Sequence, residues 1–413
     1  MTALSIDAGR LLQRLQILGE IGRDGLGRLC RIAGTEADKA GRDQLVAWLK
    51  AAGLEVIVDR IGNIFGLWRP QACAGRPPLL LGSHIDTVVD AGIYDGAYGV
   101  LAGLEVIQTL RASGFQPARP VALGAFTNEE GARFAPDMMG SLVHAGGLAL
   151  EAALAAADGD GVTLGEALAR IGYAGDAEPG FLKPHAYVEL HIEQGPVLER
   201  EGVGIGAVES LQGISWRRVT LTGTANHAGT TPMGLRRDAG LAAAETITFL
   251  CDLASSTSPD AVATVGSLRL EPDVINVIPS RAVFTVDLRD PDEARLRSAE
   301  AVLAGFLDEL AQRTGVSVAT EPLARFEPVK FDDGICRRIE RAAQGRGLTV
   351  RRMTSGAGHD AQMIARICPA AMIFVPSLGG VSHNPREHTD PEDLVAGANV
   401  LLDVVAGLAA EGA

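Results

Sequence analysis

Three apolar runs in the first half of the chain each stop on residues that can bind cations or move protons. PLLLGSH delivers His84 and then Asp86, PVALGAFT leads into Glu129 and Glu130, and AYVELHIE carries His191. Short apolar runs bounded by Gly and Pro read as strands, as do EVIVDR and GNIFGLW before them. Between them lie stretches with helical spacing: residues 9–27, residues 36–52, GVLAGLEVIQTLRASG, and a segment from about Pro136 to His144. Such alternation is the grammar of an α/β domain with a parallel or mixed sheet. Sheets of that class place ligand sites beyond the carboxyl ends of their strands, so three separate segments are predicted to converge on one crevice.

The pattern changes at about Gly213. ISWRRVTLTG reads as a strand, RRDAGLAAAETITFLCDLAS as a helix, AVATVGSLRLEP and INVIPSRAVFTVDLRD as two strands, DEARLRSAEAVLAGFLDELAQRTG as a helix and VSVATEPLARF as a strand. This βαββαβ order is that of a ferredoxin-like sandwich. α/β grammar then resumes with ICRRIERAAQGRG, LTVRRMTSG, AAMIFVPS and a helix from Pro391. The expected organisation is one mixed-sheet α/β domain in two parts, 1–212 and 328–413, interrupted by an inserted ferredoxin-like domain, 213–327.

A chain of 413 residues with 47% hydrophobic side chains can bury a sizeable core in two domains. Its 37 basic and 51 acidic residues leave a net charge of −14, which argues against a nucleic-acid or anionic-membrane surface. The N-terminus lacks a basic segment followed by an apolar one, and no run approaches the roughly 18 uncharged apolar residues that span a bilayer. Five cysteines (Cys30, Cys73, Cys251, Cys336, Cys368) form no CxxC pair. Reduced thiols in a cytoplasmic protein are the expectation.

Two histidines with a carboxylate can hold one divalent ion, and a histidine with two carboxylates a second, if one carboxylate is shared. His84, Asp95 in IYDG, Glu130, His191 and His383 in SHNP supply those types, with Glu129 left over as a proton carrier. A bridged ion pair beside a free carboxylate base is the equipment of metal-assisted hydrolysis. Asp86, two residues after His84, is placed to take its second ring N–H and orient it. Each residue also has a plainer reading. Asp95 before Gly suits a turn, the Glu pair suits a helix start, and His191 suits a satisfied core histidine. His144 and His185, which lack such company, are read as structural.

Taken together, GSHIDTV, GIYDGAYGVLAGLEV, TNEEGARF, ELHIEQGPVLE, GTANHAGTTPMGLRRDA, INVIPS, SGAGHDAQ and SHNPREHT resemble the hydantoinase/carbamoylase family of the dinuclear zinc aminoacylase and carboxypeptidase clan. The resemblance spans about residues 82–390. It implies that His84 and His191 bind one metal, Glu130 and His383 the other, and that Asp95 bridges them. Glu129 is then the general base and Asp86 the partner of His84. Zinc is the first choice for both ions, and manganese, cobalt or nickel suits the same mixed ligands. His227 is the implied oxyanion donor. Asn276, Arg289, Gln194 and the Gly358 amide are implied substrate contacts, with Arg289 suited to fork a carboxylate. Without the family, Arg289 reads as an ordinary salt bridge with Asp287 or Asp290.

The implied activity is hydrolysis of the ureido group of a small carboxylate: an N-carbamoyl-L-amino acid first, allantoate next, then β-ureidopropionate. By the same resemblance the inserted domain serves as lid and dimerisation domain of a homodimer, and its closure over the metals completes the site. A dipeptidase or aminopeptidase of the clan would share the metal chemistry, but His191 within HIEQGP speaks against it. A non-catalytic relative would have lost the base or a ligand, and all six positions are intact.

Overall fold

Strands buried on both faces need helices to cover them, and the first part of the chain supplies both. A computed structural model describes residues 4–73 and 75–411. The chain divides into two compact units, one of Met1–Glu209 with Phe331–Ala413 and one of Ser210–Lys330.

In the first unit the chain runs through α1 (Ala8–Glu20), α2 (Glu36–Ala51), β1 (Glu55–Val58), β2 (Ile64–Trp68), β3 (Leu79–His84), α3 (Ala97–Ala112), β4 (Val121–Phe126), α4 (Met139–His144), α5 (Leu150–Leu154), α6 (Leu164–Ile171), β5 (Ala186–Ile192), α7 (Val197–Glu201) and β6 (Ile205–Leu211). The second unit holds β7 (Gly213–Thr222), α8 (Ala239–Thr257), β8 (Val262–Thr264), β9 (Leu268–Glu271), β10 (Arg281–Asp290), α9 (Glu293–Thr314), β11 (Ser317–Phe326) and β12 (Val329–Lys330). The first unit resumes with α10 (Asp333–Gly345), β13 (Val350–Ser355), α11 (Asp360–Ile364), β14 (Ala370–Val375) and α12 (Pro391–Ala410).

β4, β3, β5 and β14 lie side by side, all parallel, and every residue in them is buried. Antiparallel β2 and β1 extend the sheet beyond β4, and antiparallel β6 extends it beyond β14. The fold is therefore mixed α/β with a mixed sheet. Helix α3 covers β3, β4 and β5, and α12 packs on α3, α10 and β14. By length and composition α12 alone among the described helices could cross a membrane. It is instead a core helix here, with Leu394, Val400, Leu401, Val404 and Leu408 buried.

In the second unit the sheet order is β11-β7-β10-β8, with β9 also on β10, and every pairing is antiparallel. Helices α8 and α9 pack on it through Ala242, Ala243, Leu250, Leu296, Leu303 and Leu307, against Val219, Leu221, Phe284 and Val286. Two expected strands differ in detail. AVATVGSLRLEP breaks into β8 and β9 around Gly266 and Ser267. INVIPS lies ahead of β10 as a loop, joined to the segment at His227 by a single bridge through Val277.

Two helices are shorter than their apolar spacing predicts. The one expected at Pro136 starts at Met139, because Met138 adopts a left-handed φ of 49°. The one expected over 9–27 stops at Glu20, where Ile21 turns extended.

Candidate metal centre

All four central parallel strands end at the same place, and each contributes there. β3 ends on His84 and β5 holds His191 one residue from its end. β4 runs through Asn128, at a φ of 56° that asparagine tolerates, into Glu129 and Glu130. β14 leads to the loop carrying His383, and Asp95 sits on the turn before α3.

Ring orientation is fixed by the backbone. His84 Nδ1 bonds the Asp86 carbonyl at 3.0 Å and His191 Nδ1 bonds the Ile192 carbonyl at 2.9 Å. With Nδ1–H as donor in each case, each neutral ring keeps its lone pair on Nε2, beside Asp95, where a cation or a proton can take it; His191 Nε2 also accepts the Gly96 N–H at 3.1 Å. His84 Nε2 is 3.6 Å and His191 Nε2 3.2 Å from Asp95 Oδ1. His383 Nε2 lies 3.2 Å from Asp95 Oδ2 and 3.4 Å from Glu130 Oε2. One carboxylate thus turns one oxygen to two histidines and the other to the His383–Glu130 pair. Glu129 Oε2 stands 3.4 Å from His84 Nε2.

The electrostatics match a site built for positive charge. Burial alone would raise the Asp95 carboxyl, but hydrogen bonds from His191, His383 and His84 hold it well below the usual carboxylate range. Burial, reinforced by the neighbouring acids, raises Glu129 well above its ordinary value and Glu130 to about 8. The hydrogen bond to Asp95 raises His383 to about 9. Glu130 Oε1 is buried with no hydrogen-bond partner among the described residues, an arrangement that costs free energy unless a cation or proton fills the gap. Imidazole nitrogens and carboxylate oxygens gather into three groups among the described residues, His84–Asp95–His191, Asp95–Glu130–His383 and Glu189–His191–His359, each with its ligand atoms within 4.8 Å of one another; the first two share Asp95. The donor set fits divalent metal of the zinc, manganese, cobalt or nickel type.

Asp86 behaves differently from its expected role. β3 ends at His84, so Asp86 lies past the strand and its carboxylate does not take the histidine N–H; its backbone carbonyl does. The carboxylate instead accepts the N–H groups of Glu129 and Glu130, each at 3.3 Å, and so fixes the peptide that carries both acids. Gln194, at a φ of 57°, donates through Nε2 to Asp95 Oδ2 at 2.9 Å and to Ser382 at 3.1 Å. Gly358 lies two residues before α11, partly exposed, and a Cβ there would come 3.0 Å from Met138 Cε.

The remaining expected residues belong to the second unit. His227 is exposed, and its Nδ1 accepts the N–H groups of Gly229 and Thr230 at 3.0 and 3.2 Å. That tautomer leaves Nε2–H as a donor. Asn276 is beside it, its carbonyl accepting the Ala228 N–H at 2.9 Å. Arg289 is held by its strand neighbour Asp287, with Nη2 to Oδ2 at 2.9 Å.

Several supporting residues have no sequence signal of their own. Buried Glu189 accepts from Ser83, Tyr187 and the Ala361 N–H, tying β3, β5 and α11 together beneath the candidate ligands His84 and His191. His359 packs its ring 4.6 Å from that of His191. Arg31, fully buried, donates Nε to the Ile85 carbonyl between His84 and Asp86 at 2.6 Å. Their positions in SGAGHDAQ and AYVELHIE put two of them inside motifs, but only the fold shows what they touch.

The model of peptidase family M20/M25/M40 matches residues 80–407. An N-carbamoyl-L-amino-acid amidohydrolase of Rhizobium meliloti is 41% identical over 400 residues, 97% of this chain and 96% of that protein. An allantoate amidohydrolase of Bacillus subtilis is 37% identical over 367 residues, 87% of this chain and 88% of that protein. The crystal structure of a hydantoinase/carbamoylase family amidase from Burkholderia multivorans superposes with a TM-score of 0.96 at 43% identity, covering 99% of this chain and 100% of that one. With the metal-ligand types, the strand ends and nearly the whole length matched, the chain belongs to peptidase family M20/M25/M40, in the group whose solved members include hydantoinase/carbamoylase amidases.

Proposed function

We propose that this protein is a metal-dependent amidohydrolase that cleaves the carbamoyl C–N bond of an N-carbamoyl-L-amino acid, giving the amino acid, carbon dioxide and ammonia. The observation that carries the reading is the two-sided Asp95, with His84 and His191 at one oxygen and His383, beside Glu130, at the other. In this proposal those residues hold two divalent ions, zinc first. When bound, the ions polarise the substrate carbonyl and acidify a water. Glu129 takes the proton of the attacking water and returns it to the leaving nitrogen. Asp86 keeps Glu129 in place by holding its backbone. His227 offers Nε2–H to the developing oxyanion, Arg289 forks the substrate carboxylate, and Asn276, Gln194 and the Gly358 amide orient the rest.

Allantoate is the second reading, favoured by the 37% identity to the Bacillus subtilis enzyme. Both substrates pair a ureido carbonyl with a carboxylate, so the same residues serve either. We also propose that the second unit, a ferredoxin-like insertion, acts as lid and joins two chains into a homodimer; sedimentation at equilibrium tests the latter.

The decisive measurement is ammonia release from N-carbamoyl-L-amino acids, their D forms, N-carbamoyl-β-alanine and allantoate, before and after chelation. Activity is expected to vanish on demetallation and to return with zinc, manganese or cobalt. Turnover that persists in a metal-free sample overturns the mechanism.

A further inference from the structure

Four residues beyond His383, in the same loop, the Glu387 side chain is buried, and no salt bridge to it is seen among the described residues. Its Oε1 accepts the backbone N–H groups of Tyr94 and Asp95, at 3.1 and 3.2 Å. Its Oε2 accepts the Ser382 hydroxyl at 2.8 Å. That hydroxyl also accepts from Gln194 Nε2 at 3.1 Å and stands 3.5 Å from Asp95 Oδ2. Among the described residues the hydrogen-bond donors to this carboxylate are neutral groups, and burying a carboxylate on neutral donors costs more than burying an amide. What the charge obtains in return is a clasp between two segments far apart in sequence, the turn that ends on Asp95 and the loop that carries His383.

We infer that Glu387 is a positioning residue: it sets Asp95 and His383 relative to each other so that the Asp95–Glu130–His383 group closes on a cation. The inference rests on the metal reading proposed above. It differs from that reading in assigning a function to a residue that touches none of the ions.

The test is titration of metal-free protein with Zn²⁺ by calorimetry and with Co²⁺ by visible spectroscopy, for the wild type, Glu387→Gln, Glu387→Ala and Ser382→Ala. Wild type is expected to take two equivalents. Glu387→Ala should weaken the second equivalent by about 10–100-fold, the usual effect of losing a residue that orients a ligand, and should change the cobalt spectrum of that equivalent. Glu387→Gln keeps an acceptor for Tyr94 and Asp95 but loses the one for Ser382, so its loss should be smaller. Ser382→Ala, on a partly exposed loop, removes one arm without emptying a buried site and should weaken the second equivalent while leaving the thermal midpoint of the metal-free protein near that of wild type. This variant keeps the inference testable even if Glu387→Ala does not fold. Wild-type affinity and spectrum for the second equivalent in Ser382→Ala and Glu387→Gln overturn the inference. A wild-type protein that binds no second ion instead overturns the metal reading on which it rests.

Discussion

Glu129 and Glu130 share a stretch of backbone whose two N–H groups are both held by Asp86, yet their carboxylates meet different neighbours. Glu129 stands 3.4 Å from His84 Nε2, while Glu130 stands 3.4 Å from His383 Nε2. Glu129→Gln is therefore expected to keep its metal and lose turnover by about 10²–10⁴-fold, the range for removing a general base. Glu130→Gln should lose metal first. Metal analysis alongside kcat separates the two, and identical behaviour of both variants would sink the division of labour. The doubling of acids after an apolar strand is legible in the sequence. The contact of Asp86 is not, because an i, i+2 argument assumes the strand continues, and β3 stops at His84. His144 allows a second residue-level prediction. Its Nε2 bonds the Leu182 carbonyl at 3.0 Å and its Nδ1 accepts the Gly180 N–H at 3.3 Å, among Phe65, Phe126 and Phe181. Only the neutral ring satisfies both bonds, and burial lowers its pKa to about 4. The unfolded chain protonates this histidine below about 6.5 and the folded one does not, so its contribution is complete above that pH and falls away toward pH 4. The loss is on the order of 3 kcal/mol. Denaturant unfolding of wild type and His144→Asn at pH 7 and 5 should show a smaller drop in the variant; parallel drops would refute the assignment.

At the scale of elements, the site depends on how closely α3 lies on the sheet. A Cβ at Gly99 would come 2.3 Å from the Leu190 carbonyl oxygen, in the residue before His191. Gly99→Ala must push α3 off β5, and overpacking of this kind costs about 1–3 kcal/mol. A lowered urea midpoint with weakened metal binding is the expected result, and an unchanged midpoint would show that the helix can give way freely. The sequence conveys that α3 is a helix and that β3, β4 and β5 are strands, because apolar periodicity and run length report those directly. It cannot convey that β14 lies against β5 and brings His383 to the same edge, since strand order is set by long-range packing. Nor does it resolve β8 from β9, where Gly266 and Ser267 break a run that reads as continuous.

Across the whole molecule, all the proposed metal ligands belong to the first unit, and Arg289 belongs to the second. Arg289→Ala should therefore leave metal content intact while lowering kcat/KM for carboxylate substrates by about 10–100-fold, as expected for a lost charge-assisted pair of about 1.5–3 kcal/mol. Substrates lacking the carboxylate should respond much less; an equal response to both would remove Arg289 from that role. The change of grammar near Gly213 and its reversal near residue 328 are visible in the sequence as changes in element order. The change at the level of the fold falls at Glu209 and Phe331, because β6 runs on from one unit into the next and short β12 pairs with its final residues.

The position of β14 also bears on how the chain can be made. It is hydrogen-bonded to β5 on one side and β6 on the other, yet it is synthesised after the entire second unit. Until it emerges from the ribosome, β5, buried in the finished sheet, has a bare edge of unpaired backbone groups. A nascent or truncated chain ending near Lys330 therefore carries His191 on an open sheet edge that invites pairing with other chains. The β5 edge of the first unit is closed only by this last strand.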